Sequence, residues 1–145
     1  MFTVEAGTFI NRSQQEVFAF VSDPANHARW QSGVQSAEWT SAGPAGAGST
    51  LRQVSRSLGL DVASTYEIVN WDPPNGYTLC SLDGPLAVEG GPRLEARDGG
   101  TQITTTAQVE AKGLFKLAEP LFKRQTSKAF EESFVTLKSL LENGS

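Results

Sequence analysis

The 145-residue chain is predicted to fold as one α+β domain, a seven-stranded curved antiparallel sheet wrapped around a long C-terminal helix, with two short helices after the first strand. Three observations predict this. Between residues 33 and 112 turn signals recur, and the segments between them alternate apolar and polar residues, the two-residue period of strands. The last thirty or so residues carry a 3.6-type apolar stripe. Two helix-start signals stand close together within residues 13–24.

Residues 2–10, "FTVEAGTFI", alternate loosely and read as the first strand. Ser13 followed by Glu16 is a capping box that opens a helix of about two turns, with Val17, Phe18, Phe20 and Val21 on its apolar side. Asp23 is a good N-cap, and Pro24 suits a first helical position, so a second brief helix begins at Pro24 and carries Ala28 and Trp30. Strands follow at 34–41, 49–58, 61–71, 77–82, 86–96 and 101–111 in meander order. They are separated by the Gly/Pro loop 42–48, Gly59, "DPPNG" at 72–76, Asp83-Gly84-Pro85 and "DGG" at 98–100. Gly90-Gly91-Pro92 suggests a bulge or an interrupted edge in the 86–96 strand. The apolar stripe that follows runs from Leu114 to Leu141. Pro120 fits poorly inside a helix, so a break is expected near 118–120, with the main helix spanning 121–142 and ending at Asn143-Gly144. At about 1.5 Å per residue that helix is roughly 30 Å long, enough to cross a sheet.

Seven antiparallel strands expose one broad apolar face. The two small helices cover too little of it, so the long helix must, and it does so best if the twisted sheet curls around it. One helix in a curled sheet leaves space, and concave apolar space with a few polar groups is where small ligands bind.

The strings "SQQEVFAFVSDPANHARWQSGV" (13–34), "GAGSTLRQ" (46–53), "STYEIVNWDPPNGYTL" (64–79) and "GGTQIT" (99–104), followed by the long helix, carry a family likeness over nearly the whole chain. They resemble the START-like (SRPBCC) superfamily, the helix-grip group that includes polyketide cyclase/dehydrase-like proteins, lipid-transfer domains and plant pathogenesis-related proteins. The resemblance implies the helix-grip fold. It implies much less about function, because that scaffold hosts carriers, cyclases and regulators and has no universal catalytic motif.

Composition narrows the function classes. Twelve basic against sixteen acidic residues give a net charge of −4, which argues against a nucleic-acid partner. Cys80 is the only cysteine, so no internal disulfide or thiolate metal cluster can form. Only one histidine is present, without a His-x-x-x-His or Glu-x-x-His pairing, so neither a metal nor another cofactor is expected. The N-terminus lacks a signal-peptide pattern, and no run of about 18 apolar residues could span a membrane. A cytoplasmic setting is the expectation.

Candidate residues follow from the faces. His27 lacks an orienting partner in sequence and is read as exposed or capping its helix, whereas Trp30 is expected to plug one end of the cavity. Cys80, mid-strand, is read as a buried inert thiol. The long helix is expected to turn Leu117, Leu121, Phe122, Thr126, Ala129, Phe130 and Ser133 to the sheet, with Phe134, Leu137 and Leu141 as plain core. The small and polar members at 126, 129 and 133, between Phe122 and Phe130, leave volume there for a pocket.

In 101–111, Ile103, Thr105, Ala107, Val109 and Ala111 share the inward face. In 61–71, Tyr66 is read inward with Val62, Ser64, Ile68 and Asn70, while Ala63, Val69 and Trp71 take the other face. In 49–58, Leu51, Gln53 and Ser55 are read inward and Arg52 and Arg56 outward. A one-residue slip would bury Arg52 as an anion anchor.

Half of the basic residues, Lys112, Lys116, Lys123, Arg124, Lys128 and Lys138, fall in the last third. The amphipathic 112–128 stretch is read as the solvated outer face of the closing helix, with contact to an anionic membrane surface as the alternative.

These readings favour binding of a hydrophobic or amphipathic small molecule, lipid or polyketide-like, with Tyr66, Thr105, Thr126 and Ser133 orienting it. One alternative is a cyclase/dehydrase-like enzyme in which polar groups such as Tyr66, Arg52, Arg93 or His27 move protons. Another is an interaction protein that binds a macromolecule through its convex face or the 112–128 stretch.

Overall fold

The computed structural model describes residues 1–57 and 59–143. Leu58 and Gly144, where the sequence reading ends a strand and the last helix, lie outside the described residues.

The observed order is β1 (Phe2–Ile10), α1 (Gln14–Val21), a 3₁₀ turn (Pro24–Asn26), α2 (His27–Trp30), β2 (Val34–Trp39), β3 (Thr50–Ser57), β4 (Leu60–Asp72), β5 (Gly76–Ser81), β6 (Leu86–Arg97), β7 (Gly100–Ala111), a second 3₁₀ segment (Gly113–Ala118) and α3 (Glu119–Glu142). The strands form one antiparallel sheet in the order β1-β7-β6-β5-β4-β3-β2. The last six strands are the expected meander, and β1 closes against β7 with Phe2 opposite Val109 and Ile10 opposite Thr101.

Local chemistry starts the helices where expected. The Ser13 hydroxyl accepts the Glu16 N–H at 3.2 Å, and its own proton goes to the Glu16 carboxylate at 3.0 Å. The Asp23 carboxylate accepts the Ala25 N–H at 3.0 Å, and Pro24 occupies the first turn. The break expected near 118–120 is present: the 3₁₀ segment ends at Ala118 and α3 begins at Glu119, so Pro120 interrupts no helix interior. It stands in the first turn, where its missing N–H has no intrahelical partner to lose.

α3 lies along β1 and is pinned to it at both ends. The Met1 ammonium meets Glu119 at 2.7 Å. At the other end Glu142 accepts the Asn11 N–H at 2.8 Å, and Lys138 bridges Glu142 and the Phe9 carbonyl. Contact of α3 with β7 and α2 is slighter, and the strands β4 to β6 stand further off. The helix therefore leans on one edge of the curled sheet, and a hollow remains in front of the middle strands.

Four sequence expectations need correction. The β6 strand is not interrupted: its register with β7 runs without a shift from Leu86 to Arg97. Gly90 and Gly91 are there because neighbouring backbone comes very close. A Cβ at Gly90 would collide with the Thr106 carbonyl oxygen, and one at Gly91 with that of Tyr77.

Trp71 faces inward, opposite to its predicted face. A bulge between Ile68 and Asn70 inserts one residue and reverses the alternation beyond it, so Trp71 packs edge-on against Phe18 at 5.3 Å and Asn70 turns to solvent. Leu117 and Leu121 do not meet the sheet; they are 88% and 54% exposed. Leu117 lies in the 3₁₀ segment, whose three-residue turn carries it off the stripe that a continuous α-helix would have made. Cys80 is half-buried rather than buried.

The core has two parts. One gathers Ile10, Val17, Phe18, Val21, Trp30, Ile68, Phe134 and Leu137 near the short helices. The other gathers Phe2, Val4, Ala107, Val109, Ala111 and Phe122 near the start of α3.

Candidate functional site

Between the two core clusters lies a cavity of about 270 Å³. Its apolar wall comes from Leu79 on β5, Leu86 and Val88 on β6, Val109 on β7, and Ala129, Phe130 and Phe134 on α3. Polar groups on its wall include His27, Gln53, Ser64, Tyr66, Thr105 and Thr126, with Arg56 at the rim. The size is just under the ~300 Å³ at which ordinary small-molecule sites begin, and the mix of much apolar surface with few polar groups is typical of them.

The structure brings most of the predicted residues to this wall. Trp30, Gln53, Tyr66, Thr105, Thr126, Ala129, Phe130 and Ser133 all line it. Two do not. Leu51 is buried in the first core cluster, and Phe122 is buried in the second, where its ring lies tilted against Phe115 at 6.0 Å between ring centres. In both cases neighbouring apolar side chains close over the residue before it reaches the hollow. The register places Arg52 outward, opposite Thr65, so it is not a buried anion anchor. Arg56 reaches the rim and pairs with Asp61 at 3.3 Å, both side chains largely exposed.

Ser133 has a second task. Its hydroxyl donates to the Ala129 carbonyl at 2.6 Å and accepts the Ser32 N–H at 2.8 Å, which ties the segment after α2 to α3. Trp30 sits edge to His27 and tilted against Phe134, at 6.4 and 5.7 Å between ring centres. Its indole N–H is buried without a hydrogen-bond partner among the described residues.

His27 is the largest departure from the sequence reading. It is neither exposed nor a cap; it is 3% exposed and forms part of the cavity wall. Nε2 lies 3.2 Å from the Val21 carbonyl oxygen, which can only accept. The same carbonyl accepts the Tyr77 hydroxyl at 3.3 Å. Nδ1 lies 3.1 Å from Gln53 Oε1. Burial is the main influence on the ring and holds it below its ordinary pKa of 6.5, against the opposing pull of the Gln53 and Val21 contacts and of Asp23. Both ring nitrogens face oxygen atoms, and the neutral ring, with one N–H, donates to one of the two. Burial also pushes the Tyr66 hydroxyl up from 10, which keeps it a donor, with Ser64 as its hydrogen-bond partner. His27, Gln53 and Tyr66 thus present neutral groups to the cavity, and both ring nitrogens of His27 are engaged.

A pH dependence follows. The unfolded chain takes up the His27 proton near 6.5, and the folded protein only at lower pH. Stability from this group is complete above about 6.5 and falls as pH drops from there toward the lowered folded value. Glu119 and Glu142, both held below 4.5 by their hydrogen bonds, act in a more acid range. The urea midpoint is therefore expected to fall between pH 7 and pH 5, and His27→Gln to flatten that fall whatever its effect at neutral pH. An equal fall in the variant would place the titrating group elsewhere.

What sequence reasoning missed was His27 itself and the Gly90-Gly91-Pro92 run, all on the cavity wall. The glycine pair was a usable signal, because glycine within a strand often marks close backbone approach. Nothing in the sequence signalled the burial of His27, which depends on β3 presenting Gln53 at the right register.

A family profile described as polyketide cyclase / dehydrase and lipid transport matches residues 1–142. No curated protein matches the sequence. Among solved structures, a protein from Thermus thermophilus superposes with a TM-score of 0.84 at 22% identity, covering 99% of both chains. A START superfamily protein from Mycobacterium smegmatis gives 0.82 at 15% identity, again over 99% of both. An aromatase/cyclase from a Streptomyces species gives 0.76 at 15% identity, over 99% of this chain and 92% of that one. At these identities the likeness is one of fold.

Proposed function

Because the chain belongs to the polyketide cyclase/dehydrase and lipid transport family, within the START-like superfamily, we propose that it binds a hydrophobic or amphipathic small molecule, lipid or polyketide-like, between sheet and helix. The observation that carries this reading is the cavity itself: about 270 Å³ walled mainly by apolar side chains, with polar side chains at a few points. Apolar burial supplies the affinity, at about 25 cal/mol per Å² removed from water. The Tyr66 hydroxyl and the Gln53 side-chain amide fix orientation by hydrogen bonding to the polar end of the ligand. A ligand with a polar end and an apolar body satisfies both parts.

The test is a thermal-shift screen with fatty acids, isoprenoid alcohols and polycyclic aromatic ketones. A ligand at about 100 times its dissociation constant stabilises the folded state by about 2.7 kcal/mol, which raises the midpoint by about 5–10 °C for a chain of this size. No shift with any apolar compound, together with native mass spectra of the purified protein free of adducts, would sink the reading.

A further inference from the structure

The segment 112–124 has an arrangement that neither the fold nor the cavity requires. Leu114 and Leu117 are each 88% exposed and Leu121 is 54% exposed, on consecutive turns at the entry to α3. A folded protein leaves single leucines on its surface freely, but a cluster of three in eight residues marks a contact surface.

The charges around them all but share one sign. Residues 112–128 hold five basic residues and one acidic residue, in a chain whose net charge is −4. The one acid, Glu119, is already bound: its carboxylate meets the Met1 ammonium at 2.7 Å and the Ala111 N–H at 3.2 Å. Lys112, Lys116, Lys123 and Arg124 make no ion pair among the described residues. Arg124 stands one turn from Leu121 on the same side of α3. The result is a cationic, apolar projection on an otherwise acidic protein.

We propose that this segment docks on the surface of an anionic lipid bilayer. Leucines entering the acyl boundary with lysines and arginine at headgroup level is the arrangement by which interfacial segments bind. A second copy of this chain fits the charges poorly, because a two-fold contact sets the same cations against each other. Nucleic acid would meet the cations but leave the leucines without an apolar partner.

The surface is also continuous with the cavity. Phe115 packs against Phe122, whose cluster includes Val88, Val109 and Phe130, and these three line the cavity. Docking by residues 112–124 brings that wall toward the bilayer, a short path for an apolar ligand. The docking proposal goes beyond the ligand reading and stands without it.

The experiment is flotation with vesicles of phosphatidylcholine alone and of phosphatidylcholine mixed equally with phosphatidylglycerol. Binding is expected to the anionic vesicles and to weaken steeply with salt. Lys116→Ser/Lys123→Ser/Arg124→Ser is expected to weaken it about 100-fold, at roughly fivefold per lost charge. Leu114→Ser/Leu117→Ser is expected to weaken it at least about tenfold. These side chains are exposed, so both variants should fold, as circular dichroism will check. Thermal shift by a cavity ligand in vesicle-free solution is expected to be unchanged in the leucine variant, which separates failure of docking from failure of ligand binding. The proposal is overturned by no association with anionic vesicles at low salt, by equal binding of both variants and the wild type, or by a wild-type dimer that the leucine variant dissolves.

Discussion

Ala129→Phe is expected to keep the fold and lose the ligand. Ala129 faces the cavity from the middle of α3, beside Phe130 and one turn before Ser133. A benzyl group there enters the hollow where an apolar guest would lie. Filling a cavity of about 270 Å³ restores contacts that empty space lacks, so the penalty should stay at or below the ~1–3 kcal/mol of overpacking a full core. The expected outcome is at least a 100-fold loss of affinity, equal to about 2.7 kcal/mol, for any ligand that emerges from the screen. Fluorescence or calorimetric titration of folded variant and wild type measures it. Unchanged affinity in a folded variant would move the binding site off this cavity and remove the basis of the proposed function.

Leu137→Ala tests how the helix is held. Leu137 is fully buried, in the same core cluster as Phe18, Trp30 and Phe134, eight residues beyond Ala129 on α3. Truncating a buried leucine removes its transfer free energy and leaves a void, at a cost of about 2–5 kcal/mol. For a chain of this length that lowers the thermal midpoint by about 5–15 °C. Val135, two residues earlier on the same helix, is 71% exposed, and Val135→Ala should shift stability by no more than about 0.5 kcal/mol. Chemical denaturation of the pair reads the rotation of α3 directly. Equal losses at 135 and 137 would mean that the helix presents a different face, and the cavity wall built from residues 126, 129, 130 and 133 would have to be redrawn.

The two variants divide the helix by purpose. Its second half anchors, through Phe134 and Leu137 and through the Lys138 and Glu142 contacts to the end of β1. Its first half borders empty space, through Thr126, Ala129 and Phe130. Small residues in the first half and large ones in the second were visible in the sequence, which is why the pocket could be placed there from the stripe alone.

Other features yielded to sequence because their causes are local. Ser13 with Glu16, and Asp23 with Pro24, start their helices by contacts within three residues. The alternation in 101–111 gave the inward set Ile103, Thr105, Ala107 and Val109, because β7 runs without a bulge and each residue holds its side of the pleat. The same rule misplaced Trp71, because one inserted residue at Ile68–Asn70 reverses parity and a single sequence does not mark it.

Strand number, meander order, the closing helix and its small-residue half were thus determined by the sequence itself, through periodicity, caps and turns that act over a few residues. The tertiary structure decided which side Trp71 takes, that Leu51 and Phe122 stop short of the cavity, that His27 is buried between Gln53 and Val21 and kept neutral by that burial, and that Leu114 and Leu117 are left in solvent. The reason is that burial belongs to pairs of distant segments: it depends on how far the sheet curls and on where α3 leans, and no local pattern records either.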